Sequence, residues 1–133
     1  ILCLALFGII LMIFWKDIYV FIASTYLNRN NIEKAKSLCD KVLNKNPENI
    51  LALNKKAEIY KRQKDYDESL KLLKKSIKSN PNYYPTWLLQ SEVYKAKSDL
   101  DNAKKSKETA DKIRLEFESK KLHNRILSKL MGF

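Results

Sequence analysis

The chain has 133 residues, of which 26 are Lys or Arg and 15 are Asp or Glu, so its formal net charge is +11. It contains two glycines, whereas the phosphate-binding loops of dinucleotide and P-loop enzymes need several for their backbone geometry. Two cysteines and one histidine are too few for a zinc site or a disulfide framework, and they form no nucleophile–base motif. We therefore expect no catalytic residue, cofactor or metal, and no enzymatic activity.

Residues 1–15 carry no charge and form an apolar segment at the start of the chain. A helix that crosses a membrane needs about 20 apolar residues, so this run is short by itself. However, apolar residues resume after residue 17, and we expect further residues upstream of Ile1. Trp15, Lys16 and Tyr19 form the aromatic and basic group that is typical of a membrane–water interface.

These features predict a transmembrane anchor at residues 1–15, truncated at its N-terminus, and a single-pass membrane protein. The side of the membrane is left open, because only one flank of the anchor is present for the comparison of positive charges. Two alternatives are a cleaved signal peptide and a buried core helix. A signal peptide would end in a small-residue cleavage site, and residues 12–20 contain none.

Residues 16–117 repeat with a period of 34 positions. Within the first block, Tyr19, Ile22, Ala23 and Tyr26 have the spacing of one side of a helix. The repeated positions are Tyr19, Leu53 and Trp87; Ala23, Ala57 and Ser91; Tyr26, Tyr60 and Tyr94; Ile32, Tyr66 and Leu100; Ala35, Ser69 and Ala103; and Pro47 and Pro81. Because proline cannot continue a helix, the pattern predicts helix pairs at 17–28 with 32–45, 50–62 with 66–79, and 84–96 with a helix from 100 onward.

This pattern resembles the tetratricopeptide repeat, whose unit reads W-x2-L-G-x2-Y, then A-x3-F, then Pro. Trp87 and Tyr94 occupy the Trp and Tyr places of the third block. The resemblance implies an all-α fold, a short right-handed superhelix of three helix pairs, with units at 16–49, 50–83 and 84–117. Several residues depart from the family pattern, namely Lys56, Gln90, Cys39, Lys107 and Leu115. Two of them, Lys107 and Leu115, indicate a degraded second helix in the third unit.

Both ends of the array lack turn signals. No proline, glycine or loop signal separates the apolar segment from the first repeat, which predicts one continuous helix of about 27 residues. Residues 86–131 contain neither Pro nor Gly, so we expect the last helix to continue past residue 117. Residues 118–133 are amphipathic and are interpreted as a capping helix that folds back over the last repeat. The alternatives are a helix that binds in a partner's groove and a helix that binds anionic lipid.

The side of each first helix that is not buried should line a concave surface. The candidate partner-binding residues on this surface are Phe21, Asn28, Leu51, Asn54, Lys55, Leu88, Leu89 and Glu92. Members of the family that bind chaperone C-termini use a clamp of Lys, Asn and Arg on these helices. Here most clamp positions hold Val20, Ser24, Pro85 and Leu89, so we do not expect that specialisation.

The sequence thus predicts a membrane-anchored adaptor or scaffold, a subunit of a hetero-oligomeric assembly at a membrane. Its partners would be peptide segments or helices of other proteins, acidic ones included, and the bilayer through residues 1–15. The alternative is a basic module that binds polyanions such as anionic lipid or RNA. Nucleic acid is not expected as a partner, because the lysines are spread over every helix among acidic residues.

Overall fold

A computed structural model describes the backbone of residues 2–132 and the side chains of residues 14–132. These residues form six α-helices and no strand, so the predicted all-α class and helix pairs are confirmed. The helices are α1 (Leu2–Asn28), α2 (Ile32–Lys45), α3 (Ile50–Arg62), α4 (Tyr66–Ser79), α5 (Tyr84–Ala96) and α6 (Leu100–Met131). The continuous first helix has 27 residues, as predicted.

The helices stack in chain order. Each pairs with the next along the chain, and the first helices of the pairs, α1, α3 and α5, also lie side by side. Small residues recur where helices meet, since Ala23, Ala57 and Ser91 are all buried. Two buried hydroxyls complete these contacts, because Ser69 Oγ donates to the Ala57 carbonyl at 2.8 Å and Ser91 Oγ donates to that of Ala103 at 2.7 Å. The result is a solenoid in which each unit is buried against its neighbours.

The predicted single-pass membrane localisation is wrong. In the part of the chain that the structure describes, no helix combines the length and the apolar character that crossing a membrane requires. Most side chains of the predicted anchor, those of residues 1–7 and 9–13, lie outside the described part. Of the apolar residues that follow Lys16, Val20, Ala23 and Leu27 belong to the protein core and are buried within the stack, whereas Ile18, Phe21 and Ile22 are exposed.

The residues predicted to form a membrane-interface group make contacts within the protein. The rings of Trp15 and Tyr19 meet edge to face with centroids 5.6 Å apart, and both pack against the buried cluster of Val20 and Val42. The ammonium of Lys45, at the end of α2, lies 4.5 Å from the Trp15 ring centroid in a cation–π contact. Lys16 is half-buried in the same helical turn. Trp15 and Tyr19 therefore stabilise the packing of α1 against the end of α2.

Within each pair, the turn between helices is built the same way. Its central residue has a left-handed backbone, with φ of 57° at Asn30, 63° at Lys64 and 65° at Ser98. In the second unit the amide of Lys64 donates to the Lys61 carbonyl, and the amide of Asp65 donates to the Tyr60 carbonyl, the two bonds of a Schellman motif. Asp65 Oδ1 then accepts from the Glu68 amide at 3.2 Å and caps the next helix. Asp65 thus takes part in the C-terminal motif of α3 and also caps the N-terminus of α4.

Glycine at the centre of this turn should stabilise the protein. A side chain with φ near +60° is strained, and glycine is not, although glycine also loses more backbone entropy on folding. We expect Lys64→Gly to raise the free energy of unfolding by about 0.5–1 kcal/mol, as measured by urea denaturation. Lys74→Gly, in the exposed middle of α4, is the matched control and should lower it by about 1 kcal/mol. Equal losses in both variants would contradict the prediction.

The last helix differs from the other second helices, because α6 has 32 residues where α2 and α4 have 14 each. Its first half packs on α5 through the buried side chains of Ala103, Ser106 and Ala110. All described residues from 114 onward are exposed. The predicted continuation past residue 117 is confirmed, but the predicted fold-back over the last repeat is wrong. A fold-back needs a turn, and the helix has none before Gly132, where φ is 75°.

Candidate partner-binding groove

The exposed sides of α1, α3 and α5 enclose an open groove of about 500 Å³. It lies between the first helices because these are adjacent in the stack, whereas the second helices pack on their other side. Its lining residues are Val20, Ser24, Leu51, Asn54, Lys55, Glu58, Lys61, Tyr83, Pro85, Leu88, Leu89 and Glu92. All three repeat units therefore contribute to one surface.

Most of the predicted partner-binding residues are brought together here. Those that line the groove are Leu51, Asn54, Lys55, Leu88, Leu89 and Glu92. Phe21 is 73% exposed but lies outside the lining, and Asn28 is exposed at the end of α1. In α1 the groove is lined by Val20 and Ser24 instead. Tyr83 was not predicted, because it precedes α5 and so belongs to no helical stripe.

The charged groups of the groove neutralise one another. Lys55 Nζ lies 2.6 Å from the Glu58 carboxylate, and Lys61 Nζ lies 2.5 Å from that of Glu92 on the neighbouring unit. Arg62 contacts Glu58 at 3.1 Å. Burial alone would raise the pKa of Glu58, but the hydrogen bonds and positive charges of Lys55 and Arg62 outweigh it and lower that pKa. Glu58 therefore stays ionised, and neither groove lysine is free of a carboxylate partner.

Asn54 links the second and third units at the groove. Its Nδ2 donates to Thr86 Oγ1 at 2.8 Å, and Thr86 is fully buried. Thr86 Oγ1 also lies 3.3 Å from Ser76 Oγ of α4. Within the described part of the chain, Asn54 Oδ1 is buried and has no hydrogen-bond partner. Asn54 therefore keeps one unused acceptor beside the groove, and an unused buried acceptor is rare in folded proteins.

Apolar side chains form the rest of the groove surface. Leu51 is exposed at the start of α3, while Leu88 and Leu89 of α5 are half-buried, with Pro85 and Val20 next to them. Aliphatic groups in such positions can anchor the side chains of a bound segment.

Cys39 lies outside the groove lining and is unsuited to act as a nucleophile, because burial raises the pKa of its thiol to about 12.

Comparisons with known proteins agree with this architecture. Two family models of the tetratricopeptide repeat match the chain, one over residues 16–49 and the other over residues 50–83, together about half of its length. The chain belongs to the tetratricopeptide repeat family. The resemblance inferred from the repeated positions is thus confirmed. No curated protein matches the chain.

Solved tetratricopeptide repeat structures share the fold. The first repeat domain of Spaghetti, bound to the HSP90 peptide SRMEEVD, superposes with a TM-score of 0.69 at 18% identity, covering 87% of this chain and 93% of that one. MamA superposes with a TM-score of 0.70 at 16% identity and covers 78% of this chain, which spans 61% of MamA. An O-GlcNAc transferase mutant of Thermobaculum terrenum gives 0.71 at 17% identity, with coverages of 77% and 20%. At these identities the likeness concerns the fold alone.

Proposed function

We propose that the chain is a non-enzymatic scaffold module that holds an extended peptide segment of a partner protein in the groove between α1, α3 and α5. The observation that carries the proposal is the groove itself, which is lined by apolar side chains from all three units and by Asn54, whose buried Oδ1 has no hydrogen-bond partner among the described residues. The Spaghetti domain of the same fold has a peptide bound. In this role the module would be one subunit of a hetero-oligomeric assembly.

The groove's chemistry favours an apolar, uncharged segment over an acidic one. Lys55 and Lys61 already contact carboxylates of this chain, so an acidic ligand would have to displace Glu58 or Glu92. Leucine side chains instead offer burial worth about 25 cal/mol per Å² of apolar surface. Asn54 Oδ1 is buried, so it would accept a backbone N–H of the segment only if the amide turned toward the groove. We therefore propose that sequence-dependent contacts come from apolar anchors and that polar contacts are made to the peptide backbone.

Peptide selection tests this proposal and does not require the partner to be identified first. A random peptide library displayed on phage is selected against the chain, and the affinities of the recovered peptides are measured by fluorescence anisotropy. We expect apolar-rich peptides whose affinity falls at least tenfold in the variant with Leu51→Asp and Leu88→Asp. That loss corresponds to about 1.4 kcal/mol or more of binding free energy.

The control is Leu100→Asp, which makes one of the same Leu→Asp changes at a residue that is 70% exposed and outside the groove lining. This variant should bind the recovered peptides with affinities within about twofold of those of the original chain. Circular dichroism of each variant checks that the helices are intact. The proposal would be overturned if the recovered peptides bound the groove variant equally well. It would also be overturned if only acidic peptides were recovered and moderate salt abolished their binding, which would support the polyanion alternative.

A further inference from the structure

The last part of α6, residues 114–131, extends away from the repeat stack and is called the α6 extension here. Every residue in it is exposed, so it makes no core contact in the described part of the chain. Eighteen residues at about 1.5 Å each give a rod about 27 Å long. An amphipathic helix that buries nothing gains no stability from packing, which raises the question of what covers its apolar side.

One side of the α6 extension is an apolar row. Leu115, Leu122, Ile126 and Leu130 follow one another at steps of seven, four and four residues, which places them along a single face. Their exposed fractions range from 47% at Ile126 to 78% at Leu130. Contiguous exposed apolar surface of this kind marks an interaction site more often than it marks an ordinary protein surface.

A row of cations runs beside the apolar row. Lys121, Arg125 and Lys129 recur every four residues. A shallow groove of about 400 Å³ on the helix is lined by Leu115 and Leu122 of the apolar row and Lys121 and Arg125 of the cation row, together with Ser119 and one carboxylate, that of Glu118. Arg114 is paired with Asp111 at 3.0 Å. By contrast, none of the ion pairs between described residues involves Lys121, Arg125 or Lys129. Their charges are therefore available to a partner.

We propose that the α6 extension docks onto a partner protein through an apolar strip bordered by carboxylates, as an acidic amphipathic helix would present. Burial of the leucine and isoleucine side chains supplies affinity, and pairing of the cation row with carboxylates supplies orientation and partner choice. A second copy of the chain fits less well. The extension carries five cations and two carboxylates, and antiparallel pairing of two copies would set their cation rows against each other.

This site is separate from the groove between α1, α3 and α5, which is lined by other residues. The proposal therefore does not depend on peptide binding in that groove. With both sites occupied, the chain would connect two partners.

A designed peptide pair tests the proposed chemistry on the full chain. The probe is a labelled helix of three heptads with Leu at positions a and d and Glu at e and g, and its counterpart has Lys at e and g. Fluorescence anisotropy should show binding of the Glu peptide and at least tenfold weaker binding of the Lys peptide. Two double variants should each weaken binding of the Glu peptide at least tenfold. These are Lys121→Glu with Arg125→Glu, and Leu122→Asp with Ile126→Asp.

The matched control is Lys74→Glu with Lys75→Glu, which makes the same charge change on the exposed side of α4 and should leave binding within twofold. All substituted residues are exposed or solvent-facing, so circular dichroism should show unchanged helix content. Equal affinity for both peptides, or no binding of the Glu peptide at 100 μM, would overturn the proposal. A dimer in sedimentation equilibrium that is lost in the Leu122→Asp, Ile126→Asp variant would overturn it in favour of a second copy.

Discussion

Replacing Leu73 with alanine should lower the free energy of unfolding by about 2–5 kcal/mol. Leu73 lies on α4 and is fully buried in a cluster with Ala57 of α3, Leu70 and Val93 of α5. It therefore joins the second and third units. Alanine would remove apolar contacts on both sides and leave a cavity that the close-packed helices can fill only in part. For a domain whose total stability is about 5–15 kcal/mol, this is a large fraction.

The measurement is urea denaturation followed by far-UV circular dichroism. Leu100→Ala is the matched control, because Leu100 is 70% exposed and the same atoms are removed without making a cavity. Its free energy of unfolding should change by no more than about 0.5 kcal/mol. Similar losses in both variants would show that the cluster at Leu73 is not tightly packed, contrary to the structure.

The second large effect is expected at Thr86, whose replacement by valine should lower the free energy of unfolding by about 1–3 kcal/mol. Valine keeps the shape of the fully buried side chain but removes Oγ1, which accepts from Asn54 Nδ2 at 2.8 Å. Because Asn54 Oδ1 already lacks a partner, the whole amide would then be unpaired. Ser76 Oγ would also lose its neighbour at 3.3 Å.

A control and a double variant separate the hydrogen bond from other effects. Thr109→Val removes an exposed hydroxyl that donates to the Lys105 carbonyl within α6, and it should change stability by about 0.5 kcal/mol or less. Adding Asn54→Leu to Thr86→Val removes both hydrogen-bond partners together. The double variant should therefore lose less free energy of unfolding than the two single variants lose in sum. Strict additivity in this thermodynamic cycle would contradict a direct bond between the two side chains.

The helices could be predicted from sequence because their ends depend on local chemistry. Proline at 47 and 81 and the capping side chains of Asn31, Asp65 and Asp99 act within a few residues of their own position. Whether the apolar residues after Lys16 face a bilayer or a protein core could not be predicted from local chemistry. Val20 and Leu27 suit a bilayer and a protein core equally well, and only their contacts with the neighbouring helices distinguish the two.

The groove was predictable only in part, for a similar reason. Leu51, Asn54 and Leu88 follow the helical period of α3 and α5, and the structure places them in the lining. On α1 the candidates chosen were Phe21 and Asn28 and not Val20 and Ser24 at the clamp positions, because the rotation of that helix depends on how it packs against α2 and α3. The pairing of Lys61 with Glu92 joins residues 31 positions apart and carries no local signal.

The end of α6 shows the limit of local rules most clearly. The absence of proline and glycine correctly predicted a long helix, and in the structure no turn interrupts α6 before Gly132 at which the chain could fold back. The interpretation as a cap came from the general need of repeat arrays to cover their last unit. In this chain the first half of α6 already covers α5, and the rest of the helix faces solvent.

The missing break at Leu115 also bears on how such an array could change in length. Prolines at 47 and 81 each separate a completed unit from the next, and Leu115 stands where a third would be expected. A duplicated unit inserted after residue 83 would have the same Asn-Pro turn on both sides, in which the Asn80 side chain accepts from the Asn82 amide as Asn46 does from Glu48. An insertion within α6 would have to interrupt a continuous helix. The array can thus gain a duplicated unit at its internal junctions, whereas an insertion within the final helix would break that helix.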